Sequence, residues 1–479
     1  MTDTTVHDAP LASSIRYAPL IVCLLVGAAV WFGPKPELIS EQGWHLLAIF
    51  LATILGLIIN PLPMGAVCIV SFVITTLTNT LTPQQAFEGF DEQIVWLVVF
   101  ALFIAKGFEA TGLGKRVAYF FMGLLGKRSL GLSYGLVVTD LIISPAIPSV
   151  TGRMAGIVYP ILRGIANTFK SFPHTDSSRH IGAFLTVTSF QCSAVTSSMF
   201  MTAMAANPLL ARLTSDQNIN LSWGKWALAA IVPGLVSLLI VPLVIYCIYP
   251  PSIKTTPEAS LAAKTKLKEL GKMRYPEWVM TLTVVLLLFL WGMGKTLGIS
   301  PAVAAMGGLS VLLLTGVLEW KSLIKMDTAW ETFIWFSVII MLANYLNQMG
   351  VIQWFSNNVQ SQLGTLDWKL ALPVLALLYF YSHYLFASAS AHVASMYVPF
   401  LVLALGLGTP PMLAVLVFIF CSNLFGGLTH YSLSHAPLLF GAGYVHIKDW
   451  WKIGFIISLI NIIIWSTIGI AWWKLLGFW

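Results

Sequence analysis

Of 479 residues, 57% are hydrophobic and 9% are charged, where an ordinary soluble domain carries about a quarter charged residues. That leaves too little polar surface for a soluble fold. The net charge of +7 would suit nucleic acid or an acidic partner if the cations formed a patch, but they are distributed as membrane topology would distribute them.

Residues 1–14 are polar, and Arg16 precedes a first apolar run at 18–32. No small-residue cleavage site follows, so that run is expected to stay as the first span. Spanning a bilayer takes about 20 apolar residues in a helix, and such runs recur along the chain, for instance at 229–249 and 453–473. Windows of apolar residues give about eleven full spans plus two half-length hairpins. With a cytoplasmic N-terminus, the inside segments hold Arg16, Lys115, Arg116, Lys127, Arg128, Arg163, Lys170, Arg179, the cluster from Lys254 to Arg274, Lys321, Lys325, Lys448 and Lys452. The outside segments hold only Lys35, Arg212, Lys225, Lys295, Lys369 and Lys474, a bias of roughly three to one. Cys23, Cys68, Cys192, Cys247 and Cys421 sit in apolar segments without paired spacing and read as small buried apolar residues. Lys106 and Glu109, three apart, read as an ordinary interfacial pair.

The stretch 251–277 is the only long charged, loop-like segment and is expected to be a cytoplasmic linker between halves 1–250 and 278–479. Laying Ser388 over Ser149 brings out a faint repeat. Pro148-Ser-Val-Thr-Gly-Arg-Met-Ala-Gly-Ile-Val-Tyr-Pro160 then covers Ala387-Ser-Ala-Ser-Ala-His-Val-Ala-Ser-Met-Tyr-Val-Pro399. Ser149/Ser388, Ala155/Ala394 and Pro160/Pro399 are identical, while Thr151/Ser390 and Arg153/His392 are conservative. Ser144-Pro-Ala-Ile-Pro148 breaks an apolar run too short on either side to span, which predicts a hairpin near 130–168 turning inside the membrane. Its partner near 369–406 breaks at 387–391. Polar clusters at 196–208 and at 422–437 predict helices broken near 180–213 and 410–443. Small residues also let helices pack closely. Four polar clusters in matched places, costly in hydrocarbon, are expected instead to line a site at the repeat interface.

A broken helix aims backbone N–H groups and its positive dipole end at the tip, which suits an anion. Two facing tips suit a molecule with a carboxylate at each end. The candidate substrate-binding residues are Ser149, Val150, Thr151 and Arg153 at the first tip and Ser388, Ala389, Ser390 and His392 at the second. Thr202 and Met204 join them from the first broken helix, and Ser432, Leu433 and Ser434 from the second. Arg153 keeps its charge; His392, in the equivalent place, is charged or neutral. Two blander roles stay open: Arg153 capping the hairpin's carbonyls or snorkelling to the interface, and His392 simply packed. No metal site and no cofactor is expected.

These motifs, together with Thr111-Gly-Leu-Gly-Lys-Arg116, Thr196-Ser-Ser-Met-Phe-Met-Thr-Ala-Met-Ala-Ala-Asn-Pro208, Gly427-Leu-Thr-His-Tyr431, Phe440-Gly-Ala-Gly-Tyr-Val445 and Lys448-Asp-Trp-Trp-Lys452, carry a resemblance over nearly the whole chain. The sequence resembles the divalent anion/sodium symporter superfamily, in its citrate/succinate and 2-oxoglutarate/malate exchanger branch. The resemblance implies an all-α polytopic membrane protein with eleven spans, two re-entrant hairpins opening from opposite sides and two inverted-topology repeats. It also implies a scaffold domain that forms a homodimer and an elevator-like transport domain. In sodium-coupled members each tip reads Ser-Asn-Thr and the asparagine helps ligate sodium. Here Val150 and Ala389 hold the middle positions, and neither supplies the oxygen a hard cation needs. Tyr431-Ser-Leu-Ser-His-Ala-Pro437 also departs, since relatives carry Gly-Thr-Gly-Pro between the tyrosine and Ala-Pro.

The reading is a sodium-independent exchanger of di- or tricarboxylates in the bacterial inner membrane, with lipid and a second copy as partners and no nucleic acid. Fixed charge on Arg153 and His392 would replace a bound cation, and an empty carrier would be held back by that uncompensated charge. The alternative is a sodium-coupled dicarboxylate symporter. An intramembrane enzyme is disfavoured on the reading that H-E-x-x-H and G-x-S-x-G are both missing, and an ATP-driven pump by the wrong spacing in Gly123-Leu-Leu-Gly-Lys-Arg-Ser129.

Overall fold

The computed structural model describes residues 16–363 and 367–479, so the polar stretch 1–14 lies outside the described residues. Among these, helix is the only regular structure apart from one isolated bridge between Arg128 and Thr255. Among the described residues, 8 helices are long and apolar enough to cross a membrane, by length and composition, and shorter apolar helices lie at Tyr17–Trp31, Met64–Leu77, Pro301–Leu314 and Pro411–Gly427. The all-α membrane fold read from the sequence is the one observed.

The chain divides into two units. The first comprises the residues up to Phe90 and Ile334–Val351. Ser40 caps Glu41–Ile59 by accepting from the Gly43 N–H at 3.0 Å, and Asn60 ends that helix in the left-handed region at φ 47°. The Thr53 and Ser71 hydroxyls meet at 2.6 Å between neighbouring helices, a polar contact that hydrocarbon does not compete for. Tyr345 donates to Glu88 at 2.6 Å.

The second unit comprises Asp91–Phe333 and Ile352–Trp479. Its path follows from where the chain ends are tied. Ser129 begins the helix Ser129–Ile143, and its N–H bonds to the Lys254 carbonyl at 3.0 Å. The N–H groups of Ser252 and Ile253 bond in turn to the carbonyls of Arg179 and His180. Ser171, just past Tyr159–Thr168, donates to the Ser177 and Ser178 carbonyls. Both feet of the first hairpin therefore stand on one face, with the linker, while its tip lies a helix length away. The hairpin is re-entrant. Gly182–Met199 starts from the same face and breaks at tip depth, and Ala206–Ser215 carries on beyond.

The second hairpin, Trp368–Ser382 and Ala389–Gly406, lies on the far side of that break, where Tyr397 and Thr214 pair their hydroxyls at 2.6 Å. Pro411–Leu424 returns inward, and the chain regains the linker face at Ile447–Ile464, where Tyr249 donates to Asp449 at 3.3 Å. The two hairpins thus run in opposite senses.

Several expectations are corrected. The arms Ser129–Ala146 and Ala389–Gly406 are 18 residues each and not too short to span by length alone. It is the fastening of both feet to one face that makes the first hairpin re-entrant. The linker is not loop-like: it contains the 13-residue helix Pro257–Glu269. Pro257 suits a first helical position, and the small residues Ala259, Ser260 and Ala263 are buried, with Ser260 donating to the Gly123 carbonyl at 2.8 Å. Cys247 is exposed, unlike Cys23, Cys68 and Cys192. Finally, Gly131-Leu-Ser-Tyr-Gly135 has the G-x-S-x-G spacing of a hydrolase nucleophile, but Ser133 is buried inside a helix and donates to the Leu130 carbonyl at 2.7 Å. A nucleophile elbow needs a strand-to-helix turn.

Candidate functional site

At the first tip, Pro145 and Pro148 stop the incoming helix, leaving the short turn Ser144–Ala146. Ser149 then restarts the chain as an N-cap, its Oγ accepting from the Gly152 N–H at 3.0 Å. Arg153 lies one turn on and is 0% exposed. Its Nε donates to Asp140 Oδ1 at 2.7 Å, and its Nη1 donates to the carbonyls of Ile147 at 2.7 Å and Ala203 at 2.6 Å. Nη2 reaches Ser197 Oγ at 3.2 Å, while Asp140 Oδ2 accepts from Thr196. One ion pair thereby fastens both hairpin arms to the first broken helix. Of the roles left open for Arg153, capping a hairpin carbonyl is seen and snorkelling is not. Its charge is balanced by Asp140, so the expectation of an uncompensated cation in the empty site does not hold.

Thr202 is occupied as well, donating to the Pro145 carbonyl at 2.5 Å and accepting from Trp223 Nε1 at 3.0 Å. Met204 and Val150 are buried. What the first tip leaves accessible is Ser149, Thr151 and Gly152.

The second tip repeats the capping geometry, with Ser388 Oγ accepting from the Ala391 N–H at 3.3 Å. Ser388 and Ser390 are half-buried and Ala389 is buried. Among the described residues, no ion pair here replaces the one at Arg153. His392 is buried against Tyr379, Phe386 and Phe425, and its Nε2 is 2.9 Å from Ser382 Oγ. Ser382 gives its only proton to the Tyr379 carbonyl, so His392 must donate to it through Nε2. His383 donates through Nε2 to the Ser432 carbonyl at 3.0 Å, and its ring lies 5.2 Å from that of His392. His435 is 2.7 Å from Ser193, whose proton is taken by the Phe190 carbonyl. All three rings are therefore Nε2–H tautomers, and the Nδ1 of each has no hydrogen-bond partner among the described residues.

Both tips converge on the loop that follows Pro411–Leu424. Ser434 Oγ lies 2.7 Å from Thr151 Oγ1 at the first tip. Tyr431 donates to the Tyr384 carbonyl at 2.8 Å, and the Ser432 carbonyl holds His383, both at the second. Of the three candidates in this loop, only Ser434 is exposed. Ser432 donates to the Gly426 and Thr429 carbonyls. Leu433 is buried over Gly426, where an added Cβ would come within 2.5 Å of it. Nearby, the two breaks meet through Asn423 Nδ2 and Asn207 Oδ1 at 2.9 Å.

Paired re-entrant tips around one polar loop are a carrier's geometry, and comparison with known proteins agrees. The profile of the family described as "Sodium:sulfate symporter transmembrane region" matches residues 14–479. The chain belongs to this symporter family. A protein named "Putative malate transporter YflS" from Bacillus subtilis (strain 168) is 49% identical, over 98% of this chain and 99% of its own. "Dicarboxylate transporter 1, chloroplastic" of Spinacia oleracea is 48% identical, over 96% of this chain and 82% of its own. The "Citrate/succinate antiporter" of Escherichia coli (strain K12) is 33% identical, over 96% and 98%. In fold, the chain is similar to the Alcanivorax borkumensis YdaH transporter, with a TM-score of 0.56 at 14% identity, over 96% of each chain.

Membership of the symporter family makes this chain a membrane transporter and not an enzyme. Asp140 and His383 were missed by sequence reasoning. Asp140 gave a signal, because an acidic residue inside an apolar run is a functional candidate by default; His383 gave none beyond its place near the second break.

Proposed function

We propose that this symporter-family member exchanges di- or tricarboxylates, including C4-dicarboxylates, 2-oxoglutarate and citrate, across the bacterial inner membrane without sodium. Its proposed substrate site comprises Ser149, Thr151, Ser388, Ser390 and Ser434, with the remaining tip residues shaping and holding it. The observation that carries this reading is the convergence of both tips on the Tyr431–His435 loop, with Thr151 and Ser434 in contact. Hydroxyls and helix N-termini from the two sides supply donors without a net cation. The names of the relatives support the substrate class.

Val150 and Ala389 offer no side-chain oxygen to a hard cation, which supports sodium independence. The reason for exchange shifts with the corrected charge. An empty site would carry two unsatisfied donor sets through the membrane, and unsatisfied polar groups there are costly; a bound carboxylate satisfies them. The remainder of the proposal is a homodimer with a cytoplasmic N-terminus, with halves 1–250 and 278–479 as the two repeats. The second unit would carry the site in an elevator-like movement.

Counterflow in liposomes tests it. Labelled succinate should enter vesicles preloaded with unlabelled succinate or malate equally well in sodium and in choline buffer. The rival, sodium-coupled reading is favoured by the family's description, and uptake that needs sodium even with dicarboxylate inside would establish it.

A further inference from the structure

We propose that Asp140 is a positioning residue for transport that sets which substrate charge the site accepts, an inference that rests on the carboxylate reading above. Asp140 sits on the outgoing hairpin arm, the arginine it pairs with on the returning arm, and both are buried. The guanidinium holds the tip through the Ile147 carbonyl and the broken helix through the Ala203 carbonyl. Four of its five N–H groups are accounted for, the fourth by Ser197, and the whole side chain is buried. Arg153 thus acts on substrate through the backbone it shapes and through its field, not by touching it. Asp140 cancels that field, and the adjoining donors of the tip are left as the only electropositive groups there.

The pair also explains why Asp140 accepts from Thr196 on its second oxygen. A carboxylate with both oxygens occupied is fixed in orientation, so the cancellation does not vary as the tip adjusts. His435 stands beside the first broken helix through Ser193; its Nδ1 has no hydrogen-bond partner among the described residues, and as the neutral Nε2–H tautomer it adds no charge to the balance. At the second tip, among the described residues, no ion pair is present, and with the Nε2–H groups of His383 and His392 already engaged the donors left for a ligand are backbone and hydroxyl. A site neutral at both ends takes anions by hydrogen bonding, and the dicarboxylate, with one carboxylate per tip, matches its donor count. Unmasking Arg153 adds one positive charge and favours a third carboxylate.

The experiment is counterflow by the full-length protein in liposomes, comparing half-saturation for succinate and for tricarballylate at a pH where both are fully ionised. Asp140→Asn should move the ratio toward tricarballylate by about tenfold, the effect of one unit charge about 10 Å away at an effective dielectric of about 20. Asp140→Glu, which keeps the charge, should keep the wild-type ratio. The double variant Asp140→Asn, Arg153→Gln is neutral again and should also return toward that ratio. It serves where Asp140→Asn alone does not fold, because no buried charge is left unpaired. An unchanged ratio in a folded Asp140→Asn protein overturns the inference, as does a folded double variant that no longer takes up succinate, since Arg153 would then contact substrate itself. Absence of counterflow in the wild type would instead overturn the carboxylate reading.

Discussion

The hydroxyl of Thr151, at the tip of the first hairpin, lies 2.7 Å from that of Ser434 in the loop after the second broken helix. Both side chains retain exposure, Ser434 the more. A pair of accessible hydroxyls bonded, among the described residues, only to each other can turn toward a carboxylate and lose little. Ser434→Ala should therefore weaken half-saturation for dicarboxylates by about two- to tenfold, the worth of one neutral hydrogen bond of about 0.5–1.5 kcal/mol. Thermal unfolding in detergent should be unmoved. Unaltered half-saturation would remove Ser434 from the proposed site.

Arg153→Ala reads differently from what the sequence suggested. A substrate-binding Arg153, the sequence candidate, would leave the variant folded but inactive, whereas the structure makes it a stability variant. The substitution strands Asp140 as a buried charge and frees two carbonyls, which should cost about 3–5 kcal/mol. A clear fall in unfolding temperature is expected, with partial recovery in the Arg153→Ala, Asp140→Ala double variant. A melting curve that matches wild type would mean that Asp140 finds another partner.

The contrast shows what was legible in the sequence. The tips were, because prolines and serines interrupting apolar runs have no other economical explanation in a membrane. The register of Ser149 with Ser388 showed that the two hairpins correspond, while their opposed sense was implied only by the family resemblance. The partners of each polar group were not, because they are set by packing between distant segments: Arg153 finds Ala203, Thr151 finds Ser434, and Ser432 turns inward to Gly426. Composition misled at 251–277, where abundant lysines hid the small face of Ala259, Ser260 and Ala263 that makes a packed helix. Leu433 looked like a substrate contact because its neighbours are serines, yet its side chain lies over Gly426.

In the first unit, Gly89 is pressed against backbone. A Cβ there would lie 2.1 Å from the Ser337 carbonyl oxygen and 3.0 Å from Met341 Cβ. Backbone cannot swing aside as a side chain can, so Gly89→Ala should destabilise by at least the roughly 1–3 kcal/mol of ordinary overpacking. Gly307, with nothing within 4 Å, is the control: in its helix, Gly307→Ala should be neutral or stabilising by up to about 1 kcal/mol. Thermal unfolding of the two purified variants separates them, and equal melting would show that the Gly89 contact is relieved by a helix shift.

Asn207 and Asn423 join the two breaks, but not as equals. Asn207 Nδ2 donates to the carbonyls of Ser197 at 2.8 Å and Phe200 at 3.0 Å, while its Oδ1 accepts from Asn423. Ser197 lies in the last turn of Gly182–Met199, where carbonyls have no helical partner. The Phe200 carbonyl also accepts from the Ala203 N–H and so keeps one bond if Asn207 is lost. Asn423 otherwise donates to Ile419, inside its own helix. Asn207→Ala thus leaves the buried Ser197 carbonyl unpaired, at about 1–3 kcal/mol, and takes one of two acceptors from the Asn423 amide, whereas Asn423→Ala deprives Asn207 of a single donor. The unfolding temperature should fall further for Asn207→Ala, and the two losses should be less than additive in the double variant. The reverse order would mean that the end of Gly182–Met199 is capped by some group other than Asn207.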